Sequence, residues 1–296
     1  MMYLNKRLQF QYHLDKLHIN YNYNDSFIRL INDSINTFFK YQFSFKPINK
    51  RLSFKMYEVM YCESDELVKI GIISFSHSDC VILEVDNRLL YSDKLFLVHR
   101  FADSCNLDFD TFSKIDICCD SNVDLPFKLN RLLHSSNYTI KRRSRGLLTK
   151  KGNINLGYKI IPNVKTIKEK ENKPTTYYFT SLKTSRCYTK VKLVGYNKSA
   201  EVESESNKRY IIDSLPFGHD VVHRLEVRTY GYEMTCSKID IHDLYAHIPC
   251  YDYWERIFLF YLNRFFEFHE NDGDKKGGKV KKHRASDLLR LTSGKN

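Results

Sequence analysis

The chain is 296 residues long and carries a formal net charge of +12 at neutral pH, with 42% hydrophobic residues. This length and hydrophobic content suit one large or two medium-sized globular domains, and the charge indicates a polyanionic partner, either nucleic acid or an anionic membrane surface. The membrane is the weaker alternative, because no apolar run approaches the ~18 residues of a spanning helix and the N-terminus has no signal-peptide core.

The predicted elements of the N-terminal half alternate between strands and amphipathic helices. A first strand is expected over residues 16–23, and Phe27, Ile31 and Ile35 recur at helical spacing behind a cap at Asp25 or Ser26. The other elements of this half are strands over 54–61, 68–74, 80–84 and 114–120 and helices over 91–105 and 125–135. This order predicts the α+β class, with a mainly antiparallel sheet and helices packed on one face.

The strand over 114–120 reads Lys-Ile-Asp-Ile-Cys-Cys-Asp and carries two acidic residues among apolar ones. Alternation places Asp116, Cys118 and Asp120 on one face and the isoleucines on the other. Carboxylates in such a strand require a partner, which is either a basic side chain or a cation. Asp116 and Asp120 are therefore candidate metal ligands.

A basic run occupies residues 141–151, between this acidic strand and the next predicted strands. Its position favours contact with DNA phosphates, although a charge run is also common on any solvated surface. Its six basic residues are Lys141, Arg142, Arg143, Arg145, Lys150 and Lys151.

Two further strands are predicted over residues 176–180 and 188–196, joined by a polar turn that contains Lys183 and Arg186. Tyr196 ends the second strand, and Lys198 would share its face in an extended chain. A phenol beside a cation can attack a phosphodiester, because the tyrosinate forms the covalent bond while the lysine offsets phosphate charge. The alternative is a packing role, which is the usual one for a strand tyrosine.

The strand over 223–229 repeats the pattern of charged residues on one face. Arg224, Glu226 and Arg228 alternate with Leu225 and Val227. Carboxylates from two strands of one sheet can converge on a hard cation such as Mg²⁺ or Mn²⁺, which prefers oxygen ligands. An ordinary ion pair between arginine and a carboxylate is the alternative.

The C-terminal part combines an aromatic segment with a basic tail. Residues 245–268 are dense enough in aromatic side chains for a buried or partner-facing helix, whereas 269–296 is rich in lysine and glycine and is expected to be flexible. We therefore predict an N-terminal sheet subdomain over 1–160, a C-terminal sheet subdomain over 161–268 and a basic tail over 269–296.

The spacing of the cysteines and histidines limits the kinds of metal site that the sequence predicts. The eight cysteines form no Cys-x-x-Cys pair or zinc-ribbon spacing, which is typical of reduced thiols in a cytoplasmic protein. The histidines include no His-x-His pair, and a metal role for His219 and His223 is the weaker interpretation because they flank a predicted strand. No glycine-rich phosphate loop is present, which argues against an integral ATPase or helicase.

Taken in order, the motifs Ile-Asp-Ile-x-x-Asp, Tyr-Phe-Thr-Ser-x-Lys-x-Ser, Tyr-x-Lys-x-x-Glu and Arg-Leu-Glu-Val-Arg resemble the replication initiation factor family. This family contains rolling-circle initiators of plasmids and filamentous phages and related nicking relaxases of integrative elements. The resemblance covers residues 110–232. It departs from the family pattern at Lys114, Thr180 and Gly195, where arginine, glycine and an aliphatic residue are usual.

The resemblance implies a metal-dependent nicking and strand-transfer enzyme of a mobile element, built from two related sheet subdomains. Tyr196 would be the nucleophile and Lys198 its cationic partner, with Mg²⁺ or Mn²⁺ held by Asp116, Glu226 and Asp120. Arg224, Arg228, Lys183 and Arg186 would join the basic run on single-stranded or hairpin origin DNA. The expected partners are a bacterial host's helicase and polymerase, and the protein could act as a homodimer in that host's cytoplasm.

Two other functions fit the sequence less well. A noncatalytic origin-binding or regulatory protein of a mobile element would need the basic residues but neither Tyr196 nor the carboxylates. An RNA-binding module could use the tyrosine-rich strands to stack bases, but the sequence lacks the aromatic and glycine signature of the common RNA-binding sheets.

Overall fold

A computed structural model describes residues 10–36, 42–48, 55–63, 66–75, 80–141, 159–161, 176–180, 191–205, 208–270 and 281–289. In chain order the first elements are β1 Phe10–Asn22, α1 Asp25–Asn36, β2 Phe43–Pro47, β3 Met56–Glu63, β4 Glu66–Phe75, β5 Cys80–Val85, α2 Asn87–Leu90, α3 Leu97–Ser104 and β6 Asp108–Ser121. Then come α4 Leu125–Leu133, β7 Tyr138–Lys141, β8 Lys159–Ile161, β9 Thr176–Thr180, β10 Lys192–Asn197, α5 Lys198–Glu205, α6 Arg209–Asp213 and β11 His223–Thr229. The last elements are α7 Gly231–Cys236, α8 Ile241–Ala246, α9 Tyr251–Phe265, β12 Glu267–Glu270, β13 Lys282–Arg284 and α10 Ala285–Leu289.

Helices combined with antiparallel strand pairs confirm the predicted α+β class. The chain divides into two compact units, each assembled from separated segments. Unit 1 consists of residues up to Tyr12, Cys118–Arg228 and Asp252 onward, and unit 2 consists of His13–Ile117 and Thr229–Tyr251. This interleaved division differs from the consecutive segments predicted from the sequence, because β1 and β6 each contribute residues to both units.

Unit 2 is an antiparallel sheet in the order β2-β3-β4-β5-β1, with α1 and α3 contributing to its core. Its buried strand residues alternate, so that Leu17, Ile19 and Tyr21 of β1 share one face. Phe27 of α1 is fully buried with its ring centroid 5.9 Å from that of Phe45. The alternation therefore gives this unit an apolar, aromatic core.

Unit 1 contains the order β11-β10-β9-β8 and a small sheet in the order β13-β12-β7. Helix α4 begins where the side chain of Asp124 accepts a hydrogen bond from the backbone nitrogen of Phe127 at 2.9 Å. Its apolar residues Leu125, Leu129 and Leu133 recur every fourth position and are buried. Long helix α9 buries Trp254, Ile257, Phe258, Tyr261 and Leu262.

Several predicted boundaries differ from the observed ones. The aromatic segment over 245–268 is not one helix: α8 ends at Ala246, α9 begins at Tyr251 and β12 follows. Pro249 lies in the break, where its ring restricts the preceding residue and removes a backbone donor. The C-terminal tail includes β13 and α10, and buried Ala285 and Leu289 show that this part is packed rather than a flexible extension.

Within the part of the chain that the structure describes, no helix is both long enough and apolar enough to span a lipid bilayer.

Candidate functional site around Tyr196

Tyr196 is the penultimate residue of β10 and pairs in register with Arg224 of β11. Its side chain is 7% exposed, and its hydroxyl donates a hydrogen bond of 2.8 Å to Oε2 of Glu226. A buried carboxylate that accepts the phenolic proton is suited to act as the general base for a tyrosine nucleophile. The sequence had assigned Glu226 to a metal and had not connected it with Tyr196.

Glu226 lies in the middle of β11 and is 1% exposed. Its Oε1 accepts a hydrogen bond of 2.5 Å from Nε of Arg228, whose side chain is 39% exposed. The register places Lys192 opposite Arg228 and Tyr196 opposite Arg224, so all these side chains share one face of the β10–β11 pair. The two oxygens of Glu226 therefore link the phenol to a guanidinium.

Lys198 is not part of the strand, so the prediction that it shares an extended face with Tyr196 was wrong. The helix α5 begins at Lys198 because the side chain of Asn197 accepts from the backbone nitrogen of Ala200 at 2.9 Å. The carbonyl of Val222 also accepts from the backbone nitrogen of Lys198 at 2.8 Å. The chain therefore becomes helical at Lys198, where the sequence analysis assumed an extended backbone.

The ammonium of Lys198 nevertheless stays close to the tyrosine. Its Nζ lies 5.8 Å from the centroid of the Tyr196 ring and 2.6 Å from Oε2 of Glu201. Lys198 is 3% exposed, whereas the side chain of Glu201 is 36% exposed. The carboxylate of the Tyr-x-Lys-x-x-Glu motif thus neutralises the cation that the sequence assigns to phosphate.

Asp120 and Arg224 form a buried ion pair. The guanidinium donates from Nε to Oδ1 at 2.7 Å and from Nη2 to Oδ2 at 2.6 Å, and both side chains are 0% exposed. Arg224 is thereby unsuited to the DNA contact predicted for it, because a fully buried side chain cannot reach a phosphate. Asp120 is likewise a poor metal ligand, since a bidentate guanidinium already occupies both oxygens and repels a cation.

Asp116 belongs to unit 2 and is 4% exposed, with its Oδ2 3.8 Å from Nζ of Lys114. In unit 1, a carboxylate oxygen of Glu226 and Sγ of Cys118 lie within 4.8 Å of each other. The oxygens of Asp116 suit Mg²⁺ or Mn²⁺, whereas the Cys118 thiolate favours softer ions. Glu226 is a poor metal ligand, because its two oxygens already accept hydrogen bonds from Tyr196 and from the Arg228 guanidinium. Cys118 was recognised in the sequence only as a neighbour of the two aspartates.

Tyr177, Tyr178 and Tyr188 are the rivals that the sequence offers to Tyr196 as nucleophile, and Tyr177 occupies the other face of the sheet. It pairs in register with Gly195, so its side chain points away from the face that carries Tyr196. Burial, and to a smaller extent the charge of Asp124, raises the pKa of Tyr177. A raised pKa disfavours the tyrosinate, which weakens Tyr177 as a nucleophile.

Sequence reasoning missed a second pair of side chains on this other face, a histidine beside a carboxylate. Nδ1 of His223 lies 3.5 Å from Oδ1 of Asp124, the residue that caps α4. Burial lowers the pKa of His223, while the carboxylate of Asp124 opposes this shift. The approach of the start of α4 to the start of β11, which no local motif encodes, creates this pair.

Most of the predicted DNA-binding residues lie outside the described residues. Lys141 is the last residue of β7, where its backbone pairs with Glu267 of β12. The residues of this prediction that lie outside the described parts are Arg142, Arg143, Arg145, Lys150, Lys151, Lys183 and Arg186. The rival nucleophile Tyr188 also lies outside them, whereas the backbone of the third rival, Tyr178, pairs in register with Val194 of β10.

No protein-family model matches the chain, and no curated protein or solved structure shows significant similarity to it.

Proposed function

We propose that this protein is a site-specific DNA nicking and strand-transfer enzyme that initiates rolling-circle replication or transfer of a mobile element. The observation that carries this proposal is the 2.8 Å hydrogen bond from the Tyr196 hydroxyl to buried Glu226, with the Lys198 ammonium near the same ring. It combines a nucleophile, a proton acceptor and a cation in one place. The net charge of +12 favours a polyanionic substrate.

In the proposed reaction, Oη of Tyr196 attacks the phosphorus of one phosphodiester at the origin. The new Oη–P bond replaces the bond from phosphorus to the 3′-oxygen, and the phenolic proton passes to Glu226. The departing 3′-oxygen takes up a proton, which leaves a free 3′-hydroxyl and a 5′-phosphotyrosyl link. A later 3′-hydroxyl can reverse the exchange without ATP, because the ester conserves the bond energy.

Attack by Tyr196 near neutral pH requires a group that accepts the phenolic proton, because the unperturbed pKa of a phenol is about 10. Glu226 supplies the acceptor, and the Lys198 ammonium can offset charge on a non-bridging oxygen once it exchanges Glu201 for phosphate. Mg²⁺ or Mn²⁺ stays part of the proposal, and the carboxylate of Asp116 is the candidate ligand for it. When bound, such an ion would polarise the phosphate.

The proposed setting is the cytoplasm of a bacterial host. The substrate would be single-stranded or hairpin origin DNA, and a host helicase and polymerase would extend the free 3′-hydroxyl. The protein could work as a homodimer there.

The test uses labelled single-stranded and hairpin oligonucleotides that tile the DNA around the protein's own coding region. They are incubated with Mg²⁺, Mn²⁺ or a chelator and then denatured. Wild-type protein should form a covalent adduct that Tyr196→Phe abolishes and Tyr177→Phe retains, because Tyr177 lies on the other face. Glu226→Gln should slow adduct formation by about 100-fold, the lower end of the range for general-base catalysis.

A noncatalytic DNA-binding role is the alternative, and the 7% exposure of Tyr196 favours it, because a buried phenol is less accessible to a substrate. Wild-type protein that binds an oligonucleotide tightly but forms no adduct with any metal would establish this alternative. An adduct that persists in Tyr196→Phe would retain the enzyme and exclude Tyr196 as its nucleophile.

A further inference from the structure

Arg228, which the sequence analysis assigned to DNA binding, contacts a carboxylate of the candidate site. Its Nε lies 2.5 Å from Oε1 of Glu226, the carboxylate that accepts the hydroxyl proton of Tyr196 through its other oxygen. The three side chains thus form a continuous chain of hydrogen bonds across β10 and β11. Removing any member alters the surroundings of the next.

The burial of Glu226 makes its hydrogen-bonding partners important. Glu226 is 1% exposed, and a carboxylate in such surroundings is strongly destabilised unless cationic and hydrogen-bonding partners compensate it. Arg228 supplies a cation at one oxygen, so the opposite oxygen is the one that faces Tyr196. The guanidinium therefore occupies Oε1 and leaves Oε2 to the hydroxyl of Tyr196.

We propose that Arg228 is a positioning residue that holds Glu226 so that Oε2 receives the phenolic proton of Tyr196. The inference rests on the proposed nicking function and assigns Arg228 a role in the chemical step rather than in DNA affinity. The 39% exposure of its side chain is compatible with either role, so the distinction requires measurement.

The two roles have separable consequences. A phosphate contact would contribute to affinity, and its loss would reduce the dependence of log K on log salt by about 0.7 for single-stranded DNA. A positioning residue would leave affinity and salt dependence unchanged and would slow the adduct-forming step within the bound complex.

Arg228→Gln, Arg228→Lys and Lys192→Gln form a matched set. Lys192 is exposed and pairs in register with Arg228, so Lys192→Gln removes one positive charge from the same face without touching Glu226. In single-turnover reactions at saturating protein, Arg228→Gln should slow adduct formation by about 10- to 100-fold, the equivalent of one hydrogen bond to a charged group. Arg228→Lys should restore part of the rate, and Lys192→Gln should retain it.

A second readout does not depend on catalysis. With 3-fluorotyrosine at position 196, the ¹⁹F resonance of DNA-free protein should shift in Arg228→Gln and stay in place in Lys192→Gln. Circular dichroism checks that each variant is folded, and Arg228→Lys retains a cation beside Glu226 should Arg228→Gln fail to fold.

The inference is overturned if Arg228→Gln leaves the ¹⁹F resonance unchanged, or weakens DNA binding with the rate in the bound complex unchanged. Absence of any adduct with wild-type protein would refute the nicking function instead. In that case, the ¹⁹F comparison still decides whether Arg228 controls the surroundings of Tyr196.

Discussion

Arg224 and Asp120 are joined by two hydrogen bonds of 2.7 and 2.6 Å in a place that water does not reach. Arg224 pairs in register with Tyr196, so this ion pair lies immediately beside the candidate nucleophile. The pair connects the end of β6 to the start of β11 within unit 1. Its role in the structure is to secure the strand next to the site.

Asp120→Asn should lower the free energy of unfolding by about 3–5 kcal/mol, because it leaves the buried guanidinium without its counter-charge. Urea denaturation measures this quantity. The matched control is Asp213→Asn, whose carboxylate is 64% exposed and 3.7 Å from Arg209, and which should cost at most about 0.5 kcal/mol. Equal effects of the two substitutions would show that the buried pair does not stabilise the fold.

Glu201→Gln should release the ammonium of Lys198 for phosphate. Affinity for single-stranded DNA should rise about two- to fivefold, which corresponds to the strength of a partly exposed ion pair. Fluorescence anisotropy with a labelled oligonucleotide measures the change. Glu203→Gln alters the net charge equally from an exposed position on α5, so a similar gain in that variant would attribute the effect to overall charge.

Gly195→Ala should slow adduct formation, because the added methyl group would lie 2.8 Å from Cβ of Pro126 and 3.0 Å from Cδ2 of Leu225. Relief of this overlap must move β10 or α4, and the expected loss of stability is about 1–3 kcal/mol. Gly218→Ala is the comparison, since its methyl group meets no atom within 4 Å and its penalty comes from a φ of +59°. Single-turnover kinetics should show a slower reaction for Gly195→Ala alone.

The pKa of His223 gives stability a pH dependence. Burial lowers this pKa below its ordinary value of 6.5, so the unfolded chain binds more protons than the folded protein in this range. The free energy of unfolding should therefore fall as the pH drops from about 7.5 to about 5.5, until the pH passes the folded-state pKa. Urea midpoints measured across this range give the slope.

Two variants isolate this contribution. His223→Gln should flatten the slope, and burial also lowers the pKa of His18, so part of the slope should remain. Asp124→Asn should steepen it, because the amide retains the cap of α4 but removes the charge that opposes the shift. An unchanged slope in His223→Gln would exclude His223 as a source.

The local sequence pattern predicted the elements in which apolar residues recur at a regular spacing. The bounds of β9 and β11 agree with the sequence, and in β11 charged residues alternate with apolar ones as predicted. The helix expected over 91–105 is shorter, because α3 begins only at Leu97 and ends at Ser104. No side-chain cap marks the start of α3, so the sequence offered no local signal for this boundary.

Several residues of the site could be predicted from the sequence, but their contacts with one another could not. The charged residues on one face of β11 identified Glu226 and Arg228. Their partners depend on the register of β11 with β10, which local sequence patterns do not reveal. The register sets Arg224 opposite Tyr196, and the buried position of Asp120 then determines the ion pair. The end of the strand at Asn197 likewise depends on a cap that the assumed extended geometry of Tyr196 and Lys198 did not include.

Unit 1 can fold completely only late in synthesis, because its segments are far apart in the chain. Tyr12 precedes all of unit 2 in the chain, yet its ring lies 5.6 Å from Phe258 of α9, near the other end of the sequence. During translation, the core of this unit therefore remains open until the ribosome has released α9. A polypeptide that stops before Asp252 would therefore expose the apolar surface that α9 covers in the complete chain.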